Sequence, residues 1–168
     1  MGMVLLFFIA FVPIWFWRNV SGVAYLISLV LLLYVELFGH TGMGAQRWIN
    51  LGFMLFQPSE MMKITLVMLL AAYYDWLDID KVSRPLWVAI PVVLVMLPVT
   101  LVLRQPDLGT SVMLIAGAAT VMFAAGVSWI YFGVVIALVC GAVVAVLESR
   151  GTPWQLLMDY QYRRIDTF

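Results

Sequence analysis

The chain has 168 residues, of which 65% are hydrophobic and 11% are charged, and its formal net charge is zero. A composition this apolar lies outside the range of soluble domains and predicts an all-α, polytopic bundle of transmembrane helices. The balanced charge argues against a nucleic-acid partner, and the single histidine, His40, and single cysteine, Cys140, exclude an internal disulfide and leave a metal cluster unsupported.

Six apolar stretches predict membrane-spanning helices, which need about 17 to 20 residues each. They run approximately over residues 3–17, 22–38, 61–77, 86–103, 110–127 and 129–147, and the chain is predicted to be one membrane domain. The first stretch is short and contains Pro13, which ends or kinks a helix. Loops are expected between the spans, and residues 148–168 are expected to begin a further loop.

Small residues on the last two predicted spans favour close contact between helix backbones. They are Gly117, Gly126, Gly133 and Gly141. Cys140 lies in the same apolar region and is interpreted as a packing or lipid-facing residue.

The first polar segment between predicted spans is Gly44-Ala45-Gln46-Arg47-Trp48-Ile49. Arg47 is the best single candidate for binding a phosphate, because a planar guanidinium matches phosphate geometry in two-point contact. The alternative interpretation is an interfacial anchor, in which Trp48 lies in the headgroup layer beside Arg47.

The second polar segment, Gln57-Pro58-Ser59-Glu60-Met61-Met62-Lys63, begins the third predicted span. Pro58 and Ser59 are typical of a helix start, with Ser59 offering an oxygen to unpaired backbone donors. Glu60 and Lys63 are three residues apart and share one helix face. They are either a local ion pair on a capped helix, or a cation held by Glu60 and directed at a lipid pyrophosphate.

The third polar segment is Gln105-Pro106-Asp107-Leu108-Gly109-Thr110. Asp107 is interpreted either as a helix cap or as a functional carboxylate that binds a divalent cation or a sugar hydroxyl. Gln105 and the preceding Arg104 can donate hydrogen bonds to phosphate or sugar oxygens. Glu36, near the end of its span, is interpreted as hydrated at the interface.

The three motifs GAQRWI, QPSExxK and QPDLGT, in this order and each at a helix boundary, resemble the SEDS family (shape, elongation, division and sporulation), and the RodA branch more than the FtsW branch. The resemblance covers nearly the whole chain. It implies that the chain corresponds to the second to seventh of about ten membrane helices in a multi-pass protein of the bacterial inner membrane.

The resemblance also implies a function, which is peptidoglycan glycosyl transfer that polymerises lipid II in cell wall elongation and cell shape control. The implied partners are a class B penicillin-binding protein, other elongation-complex proteins and membrane lipids, with a divalent cation as a possible cofactor. The catalytic base is expected beyond Phe168. The substrate-binding residues are expected to be Arg47, Trp48, Gln57, Glu60, Lys63, Gln105 and Asp107.

Two questions stay open at the level of the sequence. Basic residues are more numerous on the side of the three motifs, which the positive-inside rule would place in the cytoplasm, whereas the resemblance implies that the motifs face outward. We follow the resemblance, because Arg47 and Arg104 belong to the motifs. The alternative functions are a flippase for the lipid-linked precursor, which the scarcity of charge within the spans disfavours, and a non-catalytic truncated subunit.

Overall fold

The computed structural model describes residues 11–38, 40–42, 45–50, 55–105 and 107–148, and the chain divides into two compact units after Val127. In the first unit the helices are α1 (Ile14–Phe38), α2 (Pro58–Trp76), α3 (Pro85–Arg104) and α4 (Leu108–Ala124). Three short strands follow α1, namely β1 (His40–Gly42), β2 (Ala45–Asn50) and β3 (Leu55–Phe56), and a 3-10 turn, Ile79–Lys81, separates α2 from α3. The second unit contains α5 (Trp129–Glu148).

The predicted class, a polytopic transmembrane helix bundle, is confirmed. Two described helices, Ile14–Phe38 and Pro85–Arg104, are long and apolar enough to cross a membrane, and α4 and the first part of α5 are apolar but shorter. Large apolar side chains cover the outside of the first unit, as at Leu26 and Val30 on α1. Such a surface is incompatible with water and matches hydrocarbon.

The predicted loop at residues 18–21 is wrong, because α1 runs without interruption from Ile14 to Phe38. The helix begins directly after Pro13, whose carbonyl accepts a hydrogen bond from the Phe16 N–H. Arg18 suggested a loop because it is charged, but an arginine near a helix end can extend its head group to the interface without breaking the helix. Most of the predicted span 3–17 lies outside the described residues.

The predicted loop at residues 39–59 contains a small antiparallel sheet in the order β1-β2-β3. His40 opposes Trp48, Gly42 opposes Ala45, and a bulge lies between His40 and Thr41. Hydropathy does not detect strands this short and polar. A sheet is therefore present where an irregular loop was expected. Its first strand starts two residues after α1 and its last strand ends two residues before α2.

Two prolines inside α3 remove hydrogen bonds that tyrosines from neighbouring helices replace. Pro91 and Pro98 have no N–H to give to the carbonyls four residues earlier, Trp87 and Leu94. The Tyr73 hydroxyl on α2 donates to the Trp87 carbonyl and the Tyr25 hydroxyl on α1 donates to the Leu94 carbonyl, each at 2.8 Å. Both carbonyls thus have a hydrogen-bond donor, which matters most at Leu94 because that residue lies in the middle of the apolar helix.

Glycine has a different role at each of two positions on or just after α4. Gly126 has φ of 91°, which L side chains rarely adopt, and the Val127 N–H bonds to the Met122 carbonyl as in a Schellman helix end. Gly126 therefore terminates the helix, and the prediction that it serves helix packing is wrong. At Gly117 an added Cβ would lie 3.5 Å from Val67 of α2, so packing is the correct interpretation there.

In the second unit, Ser128 caps α5: the Ile130 N–H donates to its hydroxyl at 3.4 Å, and its carbonyl accepts from the Tyr131 N–H. Side chains from Gly133 to Gly141 are exposed, including Cys140. An added Cβ at Gly133 or Gly141 would meet nothing within 4 Å. Within this unit, these two glycines do not mark a close contact between helices.

Candidate functional site

The polar motifs share one end of the four-helix unit because α1 and α2 pack antiparallel. The Thr65 hydroxyl on α2 donates to the Ser28 hydroxyl on α1 at 3.2 Å, and Arg18 pairs with Asp75 at 3.0 Å. Each pair is separated from the other by ten residues on both helices, so the register is regular. Continuing this register by eight residues places Glu36 on α1 level with Gln57, at the start of α2.

We call this the motif end, defined by Glu36, strand β2, residues 57–63, residues 104–105 and Asp107. The opposite end, which we call the Arg18 end, contains Arg18, Asp75 and the linker of residues 77–84. Arg18 and Glu36 are eighteen residues apart on α1, which corresponds to about 27 Å of helix, close to the roughly 30 Å of hydrocarbon in a bilayer. The two ends therefore lie at the two membrane surfaces.

An ion pair and a hydrogen bond connect the turn between α3 and α4 to the end of α1. Arg104 pairs with Glu36 at 3.2 Å, and the buried Gln105 amide donates to the Leu32 carbonyl at 3.3 Å. Glu36 was interpreted as a hydrated interfacial residue, and its ion pair with a residue 68 positions away was missed. The sequence signal is a carboxylate and a guanidinium at helix ends on the same side, but Glu60 and Arg47 give the same signal, so it does not identify this pair.

Asp107 caps α4, as one of its two interpretations predicts. Its Oδ1 accepts from the Thr110 N–H at 3.2 Å, its Oδ2 accepts from the Thr110 hydroxyl at 2.8 Å, and its carbonyl accepts from the Ser111 hydroxyl. The side chain is half-buried. Both carboxylate oxygens are thus held in a fixed orientation, and the role of Asp107 toward substrate or a cation stays a prediction.

At the start of α2 the structure corrects one assignment and confirms another. The residue at the cap is Gln57, followed by Pro58, whereas Ser59 is buried and accepts a hydrogen bond from the Gln57 amide at 2.9 Å. Ser59 is therefore not the cap. Lys63 and Glu60 form the predicted ion pair at 2.8 Å, with the Lys63 side chain 32% exposed.

Arg47 and Trp48 lie on β2, which contacts both α1 and α2. Their side chains are outside the described part of the structure. Their backbone positions belong to the motif end, because β2 lies in the segment that joins the end of α1 to the start of α2. The expectation that Arg47, Lys63 and Asp107 bind substrate together stays a prediction at the level of side chains.

The interior between the two ends contains no charged residue in the described parts of the four helices. Residues 19–35, 64–74, 85–103 and 108–124 have no Asp, Glu, Lys, Arg or His. The buried hydroxyls of Ser28 and Thr65 are bonded to each other, and such bonds hold membrane helices together. The described cations and carboxylates of the first unit are thus confined to its two ends.

Among the described residues, no three His, Cys, Asp or Glu side chains lie close enough to hold a metal ion by themselves. A magnesium ion commonly uses only one or two protein carboxylates together with substrate phosphates. Asp107, with oriented oxygens at the motif end, is the residue best suited to such a shared ion. The binding of a divalent cation by Asp107 therefore stays a prediction.

The fold and its charged ends define a polytopic helical membrane protein with a polar site at one membrane surface. Over residues 1–168 the sequence matches the FtsW/RodA/SpoVE family, described as cell cycle proteins. The chain belongs to this family.

Curated relatives include two named peptidoglycan glycosyltransferases. MrdB of Escherichia coli is 36% identical over 166 residues, which are 98% of this chain and 42% of that protein. The probable peptidoglycan glycosyltransferase FtsW of Buchnera aphidicola is 32% identical over 169 residues, covering 98% of this chain and 40% of that protein. The chain thus spans less than half the length of these relatives.

Solved structures with the same fold include a chain of a peptidoglycan synthase complex, with a TM-score of 0.77, 30% identity, and coverage of 98% of this chain and 46% of that one. The rod shape determining protein RodA of Thermus thermophilus matches with a TM-score of 0.70 and 30% identity, covering 85% of this chain and 46% of that one. The resemblance predicted from the three motifs is therefore confirmed.

Proposed function

We propose that this chain is part of a RodA-like peptidoglycan glycosyltransferase of the bacterial inner membrane, and that its motif end binds the pyrophosphate of lipid II. In this reaction an acceptor sugar hydroxyl is deprotonated and attacks the donor sugar, while undecaprenyl pyrophosphate departs. The departing group carries negative charge, so the site must supply oriented cations or hydrogen-bond donors. A class B penicillin-binding protein is the proposed partner that supplies transpeptidase activity.

The observation that carries the proposal is the concentration of donors at one membrane surface of a bundle whose described interior is uncharged. Lys63 is one turn inside α2 and only about a third exposed, an environment in which an ammonium requires a counter-charge. Glu60 provides that charge and holds the ammonium in place. Arg47, whose backbone lies on β2, is the proposed second cation. The buried Gln105 amide donates to the Leu32 carbonyl and so holds the α3–α4 turn at this end.

The uncharged interior also weighs against the flippase alternative. A route for a sugar pyrophosphate through the bundle would need polar groups at mid-depth, because an uncompensated charge in hydrocarbon is costly. In the described helices the mid-depth hydroxyls of Ser28, Thr65 and Tyr25 are bonded to one another or to backbone carbonyls. A binding surface at one end suits polymerisation of a substrate presented at that face.

The test measures the binding of fluorescent lipid II to the reconstituted chain and compares two lysines. Lys63→Ala should weaken binding about ten-fold or more, since hydrogen bonds to charged groups contribute about 1.5–3 kcal/mol. Lys81→Ala is the matched control, because Lys81 also pairs with an acidic residue three positions earlier, Asp78, but at the Arg18 end. Equal effects of the two substitutions would contradict the proposed site.

The same preparation should form no glycan polymer from lipid II and a divalent cation. The described carboxylates at the motif end are all engaged: Glu36 with Arg104, Glu60 with Lys63, and Asp107 with Thr110. Without a base at the acceptor hydroxyl, catalysis worth about 100- to 10,000-fold is lost. Robust polymer from the purified chain would show that one of these carboxylates, Asp107 first, acts as the base.

A further inference from the structure

A groove of about 390 Å³ lies at the Arg18 end, between α1 and α2 and away from the motif end. Its volume falls within the range of about 300 to 1,000 Å³ that is typical of small-molecule sites. One wall is a single face of α2, formed by Met68, Ala71, Ala72 and Asp75. The other is formed by α1, with Ile14, Trp15, Trp17 and Arg18.

The groove changes from charged to apolar along the axis of α2. Asp75 lies at its outer end and Met68 lies seven residues further in, which corresponds to about 10 Å of helix directed into the hydrocarbon. Ala71 and Ala72 between them have short side chains and leave the space open. Trp15 and Trp17 lie beside the charged end, at the level where indole rings favour lipid headgroups. This arrangement fits an amphiphile whose polar head lies at the surface.

The charged end of the groove carries one cation and one anion. Arg18 and Asp75 are 3.0 Å apart, and their side chains are 57% and 61% exposed. A guanidinium has five N–H donors arranged for a phosphate, and a carboxylate accepts several hydrogen bonds. A pair this exposed contributes little to stability in itself. Its geometry complements a headgroup that contains a phosphate and an ammonium next to each other.

We propose that this groove binds a zwitterionic phospholipid with a primary ammonium, phosphatidylethanolamine. Its phosphate lies on Arg18, its ammonium donates to Asp75, and one acyl chain runs along Ala72, Ala71 and Met68. An anionic headgroup would place an uncompensated negative charge beside Asp75. A choline headgroup has no N–H to donate to the carboxylate.

The test uses native mass spectrometry of the purified full chain with added phosphatidylethanolamine, phosphatidylcholine or phosphatidylglycerol. We expect phosphatidylethanolamine to bind at least ten-fold more tightly than either of the others. Arg18→Gln should remove this preference, and Asp75→Asn should reduce the discrimination against phosphatidylcholine. Lys81→Gln is the matched control, since Lys81 also pairs with a carboxylate at the Arg18 end but does not line the groove.

A third variant separates lipid binding from disruption of the charged pair. Ala72→Leu fills the groove and leaves both charges in place, so it should lower phosphatidylethanolamine binding while circular dichroism shows an unchanged helix content. Preference for phosphatidylglycerol, or equal lipid retention by Arg18→Gln and Lys81→Gln, would overturn the proposal. It would also be overturned if Ala72→Leu abolished self-association of the chain without changing lipid binding, since the occupant would then be a protein helix.

Discussion

At the scale of single residues, tyrosine hydroxyls replace the backbone hydrogen bonds that proline removes from α3. Pro91 and Pro98 each leave one carbonyl of α3 without its helical partner, and a tyrosine from another helix donates to each. A carbonyl without a hydrogen-bond donor is unfavourable in hydrocarbon. These two bonds therefore also connect α3 to α1 and α2, because the donors lie on those helices.

Replacing either donor tyrosine, Tyr25 or Tyr73, with phenylalanine should destabilise the chain, whereas the same change at Tyr74 should not. Tyr25→Phe and Tyr73→Phe should each lower the free energy of unfolding by about 0.5–1.5 kcal/mol, because each removes the donor to an otherwise unpaired carbonyl. Tyr74→Phe is the internal control, since the Tyr74 hydroxyl is buried without a hydrogen-bond partner among the described residues. Unfolding in mixed micelles would measure all three.

The Tyr74 substitution should be neutral or stabilising, because it removes a polar group that has no bond to lose. A loss of stability at Tyr74 as large as at Tyr25 would mean that the hydroxyls act through packing. The link between proline and tyrosine would then be wrong.

At the scale of elements, hydropathy predicted four of the five helices in the described residues to within about three residues at each end. Hydropathy failed where a charged residue lies inside a helix and where a polar segment forms a strand. Arg18 lies inside α1 because an arginine can extend to the interface, and β2 formed where a polar loop was expected. The cap at Asp107 was predictable because it is local, whereas the pairing of Glu36 with Arg104 depends on tertiary contact between distant helices.

The sidedness of the helix ends follows from the alternation of α1 to α4, and the family resemblance predicts that the motif end faces outward. In a Cys140→Ser background, Leu108→Cys at the motif end should react with an impermeant thiol reagent in intact cells. Ile79→Cys at the Arg18 end should react only after lysis. Both native side chains are well exposed, at 71% and 90%, so accessibility is matched.

The reverse labelling pattern would place the motif end in the cytoplasm. It would agree with the excess of basic residues on the motif side and would contradict the orientation that lipid II polymerisation requires.

At the scale of the whole molecule, the first unit is an apolar bundle with its described charges confined to two surfaces about one bilayer thickness apart. The Arg18 end carries exposed ion pairs, including Lys81 with Asp78, where a hydrogen bond from Lys81 and its positive charge lower the pKa of the Asp78 carboxyl. The motif end carries the three segments by which the family was predicted. We propose that the first surface binds a phospholipid headgroup and that the second binds substrate.

The central claim, that the motif end recognises a pyrophosphate, is tested most directly by comparing two lipids that differ only in that group. The reconstituted chain should bind undecaprenyl pyrophosphate about 100-fold more tightly than undecaprenol, because two charge-assisted hydrogen bonds contribute about 3 kcal/mol. This preference should be lost in the Arg47→Ala, Lys63→Ala double variant. Equal affinities for the two lipids, or a preference that persists in the double variant, would contradict the account.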